Sequence, residues 1–439
     1  MTIILKQLTI IIATILSLCA ISFLIYGNSS TSAVNFTAYA QSDVQTIKYR
    51  DMVIDLGNGV ETDAQLTYPA VGNGPFPGIL LIPGSGAIDM NDTIDVVHID
   101  NKTGAKIYPP VRPFFQIAQY LSERGFVVLR YDKRGIGENH TILDSNVWGN
   151  VTFDDLKQDA EKALDVLIQQ PEVDANHVTL IGHSEGTLYA PRIAIDNPGK
   201  VDKIVLLAAA AQNFRDLVYY QTVTIPVLYA QQILDHDHNG LLSVQEASKN
   251  PIFSYLAGNF TLLLTQNITT ANGTTTKQQL RPQYNLNNDT VISINDELKP
   301  RLTNLFKSLS VMTPGKKCTG PDALEGCPIW LASLYSLIPT LDILGKIPSD
   351  ISILIQQGGN DTLAPIQQAF LLQQKLTELR HPDQTLITYP NLGHLFSPSS
   401  QWITGVGPIQ DNVLQDLFTW LSDPVRDFKK LSILSSHMH

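Results

Sequence analysis

The chain has 439 residues, 44% of them hydrophobic and 16% charged, with a formal net charge of −11. That is enough apolar material for a sizeable core and enough length for one large domain carrying an insertion. The acidic balance, with no Lys/Arg run anywhere, argues against a nucleic-acid partner, because such proteins present basic patches.

The N-terminus comes first. After Lys6 the run "LTIIIATILSLCAISFLIYG" carries no charge, a polar stretch follows, and "AYA" stands at Ala38 to Ala40. A basic start, an apolar middle and a small-x-small site are the parts of a secretory signal. The run is also just long enough to span a bilayer. Residues 1–40 therefore read as a signal peptide or an N-terminal membrane anchor, with cleavage after Ala40 favoured. Leu18 before Cys19 is not small, which argues against lipid attachment there. Either way the rest of the chain is expected to be extracytoplasmic, secreted or membrane-anchored. Cys318 and Cys327 flank "TGPDALEG". In an oxidising compartment such a pair reads as a disulfide, two free thiols being the alternative.

From Val44 to Tyr68 two β-rich runs flank Gly-Asn-Gly, a hairpin signal. Ile79 to Ile82 is a short fully apolar run, as in a strand buried on both faces. A helical segment follows from Val111 to Arg124, then the strand "GFVVLRYD". The helix "TFDDLKQDAEKALDVLIQQ" has Thr152 as its N-cap, and the strand "HVTLIGHS", the helix "EGTLYAPRIAID" and the strand "KIVLLAAA" come next. This β-α-β rhythm means a mostly parallel sheet covered by helices. It breaks near Ala211 and returns near Pro348 with "DISILIQQGGND", "PIQQAFLLQQKLTELR", "QTLITYP" and "DNVLQDLFTWLSD". The expected division is a core over 41–210 and 347–439, interrupted by a mainly helical lid over 211–346.

The strand ending at Gly182 runs into "GHSEG". A G-x-S-x-G between a buried strand and a helix can make a sharp turn that pushes the serine out over the sheet. A serine hydroxyl needs a base, and the base needs an orienting acid. Asp361 follows one strand in "GGND", and His394 follows the next in "YPNLGHLF". Asp342 and Asp350 precede the strand and belong to the wrong edge of the sheet. The oxyanion needs donors. The backbone N–H of Glu185 is one, and "PGSG" offers that of Ser85 or Gly86. In "YDKRGIGEN", Asp132 and Arg134 read as structural residues of a turn beside the site.

The "PGSG", "YDKRGIG", "GHSEG", "GGND" and "GH" blocks resemble the α/β-hydrolase superfamily, in particular secreted or membrane-anchored esterases and serine-aminopeptidase-like hydrolases with a lid. The resemblance covers Val44 to Ala210 and Pro348 to Leu421. It implies the α/β-hydrolase fold, with Ser184 as nucleophile, His394 as base and then acid, and Asp361 as its orienter, and no cofactor for catalysis. The lid departs from the simpler members, so the substrate stays open.

Within the lid, Asp235 to Glu246 reads "DHDHNGLLSVQE" and matches the calcium-loop pattern D-x-[DN]-x-[DN]-G-x5-E. Asp235, Asp237 and Asn239 supply side-chain oxygens, Leu241 a carbonyl, Ser243 a water-mediated contact, and Glu246 two oxygens. Hard donors in this number suit Ca²⁺, here in a structural role. His236 and His238 fall at non-ligand positions and are expected to point outward. One such loop is legible, so a calcium sensor, which pairs two, is disfavoured.

The expected function is a serine hydrolase of carboxylic esters acting on a small-molecule ester or short acylated substrate. A serine aminopeptidase or acyltransferase on the same triad is the alternative. A peptidase would need an acid such as Asp322 or Glu325 to hold the substrate's amine. A catalytically dead calcium-dependent binding protein is disfavoured, because a dead scaffold has no chemical need for the three triad residues.

Overall fold

In this computed structural model the described residues are 46–100, 104–249, 264–269, 276–310 without 283 and 288, 328–402 and 405–423, together with Ile21–Ser22. The leader otherwise lies outside them, as do Cys318, Cys327, Asp322 and Glu325. Among the described residues no helix is long and apolar enough to cross a membrane.

Eight strands form the central sheet: β1 (Ile47–Gly57), β2 (Val60–Pro69), β3 (Phe76–Ile82), β4 (Val127–Tyr131), β5 (Val173–His183), β6 (Lys203–Leu207), β7 (Ser352–Gly358) and β8 (Gln384–Tyr389). Their spatial order is β1-β2-β4-β3-β5-β6-β7-β8. β1 and β2 are the expected hairpin, turning through Gly57, Asn58 and Gly59, all at positive φ. From β4 to β8 every neighbouring pair is parallel. Strands alternate their side chains between faces. Leu80 and Ile82 of β3 and Ile204 and Leu206 of β6 enter the core on one face. Ile79, Leu81, Val205 and Leu207 enter the core on the other. Burial on both faces explains why these strands read as unbroken apolar runs.

Five helices cover the sheet: α1 (Pro113–Ser122), α2 (Phe153–Ile168), α3 (Gly186–Asp196), α4 (Gln367–Glu378) and α5 (Asp411–Leu421). α2, α3 and α4 pack on the first face, α1 and α5 on the second. Thr152 caps α2 through a reciprocal box with Asp155, satisfying the first helical N–H groups. This architecture is the α/β-hydrolase fold.

β6 and β7 are adjacent, Lys203 opposite Ser352, yet the chain between them leaves the sheet. That insertion contains the helices Phe214–Tyr219, Ile225–Tyr229, Val244–Lys249, Lys299–Ser310 and Pro328–Tyr335. It also holds two antiparallel ladders that helical periodicity did not anticipate, Leu241–Ser243 with Val291–Ser293 and Thr265–Thr269 with Thr276–Leu280. A further unanticipated hairpin, Ile94–Asp100 with Gly104–Val111, lies between β3 and α1.

Candidate active site

β5 delivers Ser184. The serine has φ 53°, a left-handed conformation that costs a non-glycine residue energy and persists only where packing over-determines it. The packing here is close: a Cβ on Gly182 would lie 2.3 Å from the Gly186 carbonyl oxygen, and one on Gly186 would lie 2.2 Å from that of Ile82. Only glycine fits at either place, so the chain can turn sharply from β5 into α3. The Ser184 N–H donates to Leu207 O at 2.9 Å, fixing the elbow to β6. Glu185 precedes the first helical residue of α3, so its N–H points out of the helix start.

Asp361 follows β7 and His394 follows β8, the carboxyl ends at which parallel sheets build their sites. His394 Nδ1 lies 2.9 Å from Asp361 Oδ2. Both side chains are buried. Asp361 is an acceptor on all sides: Gln357 Nε2 donates to Oδ2 at 3.0 Å, and the N–H groups of Leu363 and Ala364 donate to Oδ1 at 2.8 Å each. The Asp361–His394 pair fixes the imidazole so that Nε2 is the free nitrogen, and Nε2 is buried without a hydrogen-bond partner. Of the rival acids, Asp342 sits in the short helix Thr340–Ile343 and Asp350 precedes β7.

The loop after β3 passes beside the serine, since a Cβ on Gly84 would lie 3.3 Å from Ser184 Cβ. This loop carries Ser85 and Gly86, and it is pinned from below. Buried Lys133 donates from Nζ to the carbonyl oxygens of Gly84 and, at 3.2 Å, Gly86. Asp132 accepts the N–H of Met90. Burial pushes the Asp132 carboxyl up to about 7. Asp89 accepts the N–H groups of Asn91, Thr93 and Asn139. Arg134 pairs with Asp159 and Asp155 on α2. Asp132 and Arg134 are structural, as expected. Lys133, between them, had no expected role, and no local pattern in this charged turn marked it.

A second histidine–aspartate pair lies behind the first. His183 Nδ1 is 3.0 Å from Asp92 Oδ2, close enough for an ion pair although out of hydrogen-bond alignment. His183 Nε2 is 3.2 Å from the carbonyl oxygen of His394, which can only accept, so Nε2 carries a proton. The two imidazole centroids are 5.0 Å apart. Burial works against charge on His183, but Asp92 and its neighbours prevail and raise the pKa above the ordinary value. Asp92 and His183 stand far apart in the chain, so spacing alone could not couple them.

Among the described residues the insertion reaches the site through Trp330 and Gln221. Trp330 Nε1 donates to Glu185 Oε1 at 3.0 Å, and Tyr189 of α3 donates to the same oxygen. Gln221 Nε2 donates to Leu363 O at 2.7 Å, beside Asp361. Further out, carboxylate oxygens of Asp235, Asp237 and Glu246 lie within 4.8 Å of one another. Leu241 begins a short strand, Asn239 Oδ1 accepts its N–H at 2.7 Å, and Ser243 donates from N and Oγ to Glu246. His236 and His238 are exposed, as are Asp237 and Asn239.

Residues 111–247 match the family described as "Serine aminopeptidase, S33", a stretch that contains Ser184 but neither Asp361 nor His394. The chain is 30% identical over 176 residues to Esterase EstD of Thermotoga maritima. That match covers 40% of this chain and 36% of the relative, so the chain spans about a third of the relative's length. A hypothetical protein from Pseudomonas aeruginosa of solved structure shares 14% identity, with a TM-score of 0.45 over 88% of this chain and 99% of that one. A thermostable carboxyl esterase from Bacillus coagulans, solved with glycerol, shares 15% identity, with a TM-score of 0.42 over 78% and 89% of the two chains.

Proposed function

We propose that this protein is an extracytoplasmic serine hydrolase that cleaves carboxylic esters of small molecules or short acylated substrates. One observation carries the reading: a strained serine stands on the elbow between β5 and α3, and His183, the residue before it, contacts a buried histidine, His394, whose Nδ1 is held by Asp361 and whose Nε2 is unpartnered. In an unliganded site the serine–histidine hydrogen bond is often long, tightening when substrate binds.

In this reading Ser184 Oγ attacks the ester carbonyl and its proton passes to His394 Nε2. The N–H of Glu185 and that of Ser85 or Gly86 stabilise the oxyanion. Collapse expels the alcohol, which takes the proton from His394. Water then attacks the acyl-enzyme, giving its proton to the same nitrogen; the second tetrahedral intermediate collapses, the acid leaves, and Ser184 Oγ takes the proton back from His394. Asp361 keeps the imidazole oriented and stabilises it while charged.

The insertion acts as a lid, its loop holding a structural Ca²⁺. Asp235, Asp237, Asn239, Leu241 through its carbonyl, Ser243 through water and Glu246 are its ligands. The carboxylate spacing suits an ion with bonds of about 2.3–2.6 Å. Calcium would order the lid and takes no part in the chemistry. Outside the cell the ion is abundant, so such a site stays filled. Residues 1–40 direct export by cleavage after Ala40 or anchor the chain, and Cys318 pairs with Cys327.

The matched family favours one alternative, a serine aminopeptidase with the same three residues. Its substrate amine would need an exposed acid near Ser184. Glu185, the acid next to the serine, is buried and engaged by Trp330 and Tyr189. The deciding experiment compares p-nitrophenyl esters with aminoacyl p-nitroanilides on the wild type and on Ser184→Ala. Ester turnover that vanishes in the variant supports the esterase; anilide turnover without ester turnover overturns it.

A further inference from the structure

The geometry points to a second cation site in the insertion, formed by Asn285, Asn287, Asp289, Val291 and Glu297 and paired face to face with the Asp235–Glu246 loop as the other half of an EF-hand pair. The inference rests on the proposal that the first loop holds calcium. The first loop matches a sequence pattern, and the second does not.

The ladder between Leu241–Ser243 and Val291–Ser293 relates the two loops. Leu242, at position 8 of the first loop, lies opposite Ile292, and its neighbours Leu241 and Ser243 lie opposite Ser293 and Val291. Both Leu242 and Ile292 are fully buried. Antiparallel pairing centred on one residue of each strand relates the two loops by a local two-fold axis. If Ile292 is position 8, then Asn285, Asn287, Asp289 and Val291 fall at positions 1, 3, 5 and 7, the ligand positions of such a loop.

The hydrogen bonds repeat under the same rotation. In the first loop Leu241 N–H donates to Asn239 Oδ1 at 2.7 Å; in the second Val291 N–H donates to Asp289 Oδ1 at 2.8 Å. Asn239 N–H donates to Asp237 Oδ1 at 3.2 Å, and Asp289 N–H to Asn287 Oδ1 at 3.0 Å. The closing glutamate Glu246 accepts from the N–H groups of His236 at 3.2 Å and Ser243 at 2.9 Å. Glu297 accepts from those of Leu286 at 2.7 Å and Ser293 at 2.8 Å, the same two positions.

Position 12 is Asp296, which accepts from Ser293 Oγ at 3.0 Å as Glu246 accepts from Ser243 Oγ, and Glu297 is one residue too far along the chain, at position 13. The extra residue is absorbed by a π-helical turn, Ile294–Leu298, and such turns are how a helix accommodates a single insertion. Thr290 stands where the first loop has Gly240. Asn285 stands at position 1, where the pattern requires Asp, and these three departures hide the loop from a pattern search.

Hydrogen bonds within a loop do not make a metal site, and the observation that points to a ligand is Asn285. Its side chain is only 7% exposed, and its Nδ2 donates across the loop to the carbonyl of Asp289. Its Oδ1 is buried with no hydrogen-bond partner. A buried amide oxygen left unpaired is costly, and a cation at the loop centre would satisfy it. Position 1 of the first loop is Asp235, similarly buried. The second donor set has two carboxylates, Asp289 and Glu297, against three in the first. Affinity in such loops follows ligand charge, so the second site is the weaker. The shared ladder couples them, because filling one loop orders a strand of the other.

Bound calcium is to be counted by equilibrium dialysis of the whole protein at 0.01 to about 10 mM free Ca²⁺, which brackets extracellular affinities. The wild type is expected to bind two ions per chain. Glu297→Gln and Asn285→Ala should each remove the weaker one, and Glu246→Gln should remove the tighter one and weaken what remains. Asn285→Ala leaves the Glu297 brace intact, so it guards against loss of fold, with circular dichroism as the check on each variant. One ion in the wild type, unaffected by Glu297→Gln and lost in Glu246→Gln, would overturn the second site and leave the first standing. No binding in any variant would overturn both.

Discussion

The sheet edge and the insertion solve the same problem, fixing oxygen and nitrogen atoms to within a few tenths of an ångström, by different means. At the sheet edge the backbone is already rigid, and single side chains complete it: Gln357 donates to Asp361 and accepts the N–H of Ala209, tying Asp361 to the point where the chain leaves β6. In the insertion no large sheet exists among the described residues. Each loop is held by its own carboxylates and by a three-residue ladder. A site built on a sheet keeps its shape without a ligand, whereas one built on loops depends on what it binds.

The sharpest test of the rigid half is the triad. Ser184→Ala should lower kcat for an ester by about 10⁶-fold, and Asp361→Asn by about 10⁴-fold with the fold intact, because the asparagine amide no longer selects the Nδ1–H tautomer. Steady-state and burst kinetics would measure both. An Asp361→Asn enzyme within tenfold of wild type would mean that the sheet edge does not orient His394.

Asp132 tests how rigid the turn beneath the oxyanion loop is. Its carboxyl is raised to about 7 by burial, from an ordinary value near 4 in the unfolded chain. The neutral form is therefore the one the fold favours. This group's contribution to stability is fully present below pH of about 4 and is lost as pH rises through about 7, amounting to a few kcal/mol at most. Denaturant titrations between pH 4 and 8 should show that loss in the wild type and a flatter profile in Asp132→Asn, which keeps an acceptor for the Met90 N–H. Parallel profiles for the two proteins would refute it.

The core was largely legible because its signals are local. Apolar runs gave the strands, "GHSEG" gave the elbow, and Asp361 and His394 each follow a strand directly. What escaped was non-local. Lys133 sits in the "YDKRGIG" block, but its partners Gly84 and Gly86 are 47 residues or more away. Asp92 meets His183 only because β3 and β5 are neighbours. In the insertion the ladder between Leu241–Ser243 and Val291–Ser293 joins strands distant in the chain, so it and the second loop could not be read from periodicity. The expected disulfide, Cys318 with Cys327, falls outside the described residues.

His183 is a smaller perturbation of the same half. Facing it are Asp92, the ring and carbonyl of His394, Asp361 at longer range and the edge of Phe114. His183→Gln retains a donor for the His394 carbonyl and breaks the contact with Asp92. We expect kcat to fall by about 10–100-fold with KM little changed, as for a misplacement under an ångström. A purely structural role would lower stability and leave kcat in place.

Calcium removal probes the loop-built half and has the smallest expected effect. For a site with a dissociation constant of about 10⁻⁴ M, 1 mM calcium stabilises the folded state by about 1.4 kcal/mol. Chelation should therefore lower Tm by a few degrees. The loss should begin in the insertion: amide exchange ought to rise first along Leu241–Ser243 and Val291–Ser293, while β3, β5 and β6 stay protected. Two ties run from insertion to site, Trp330 to Glu185 and Gln221 to Leu363. Loosening them acts on the residue after the nucleophile and on the loop of the acid, so kcat should drop by a modest factor while the triad remains assembled. If chelation instead exposes β5 and β6 together with the ladders, the two halves unfold as one unit and the contrast between a rigid edge and a ligand-dependent insertion fails.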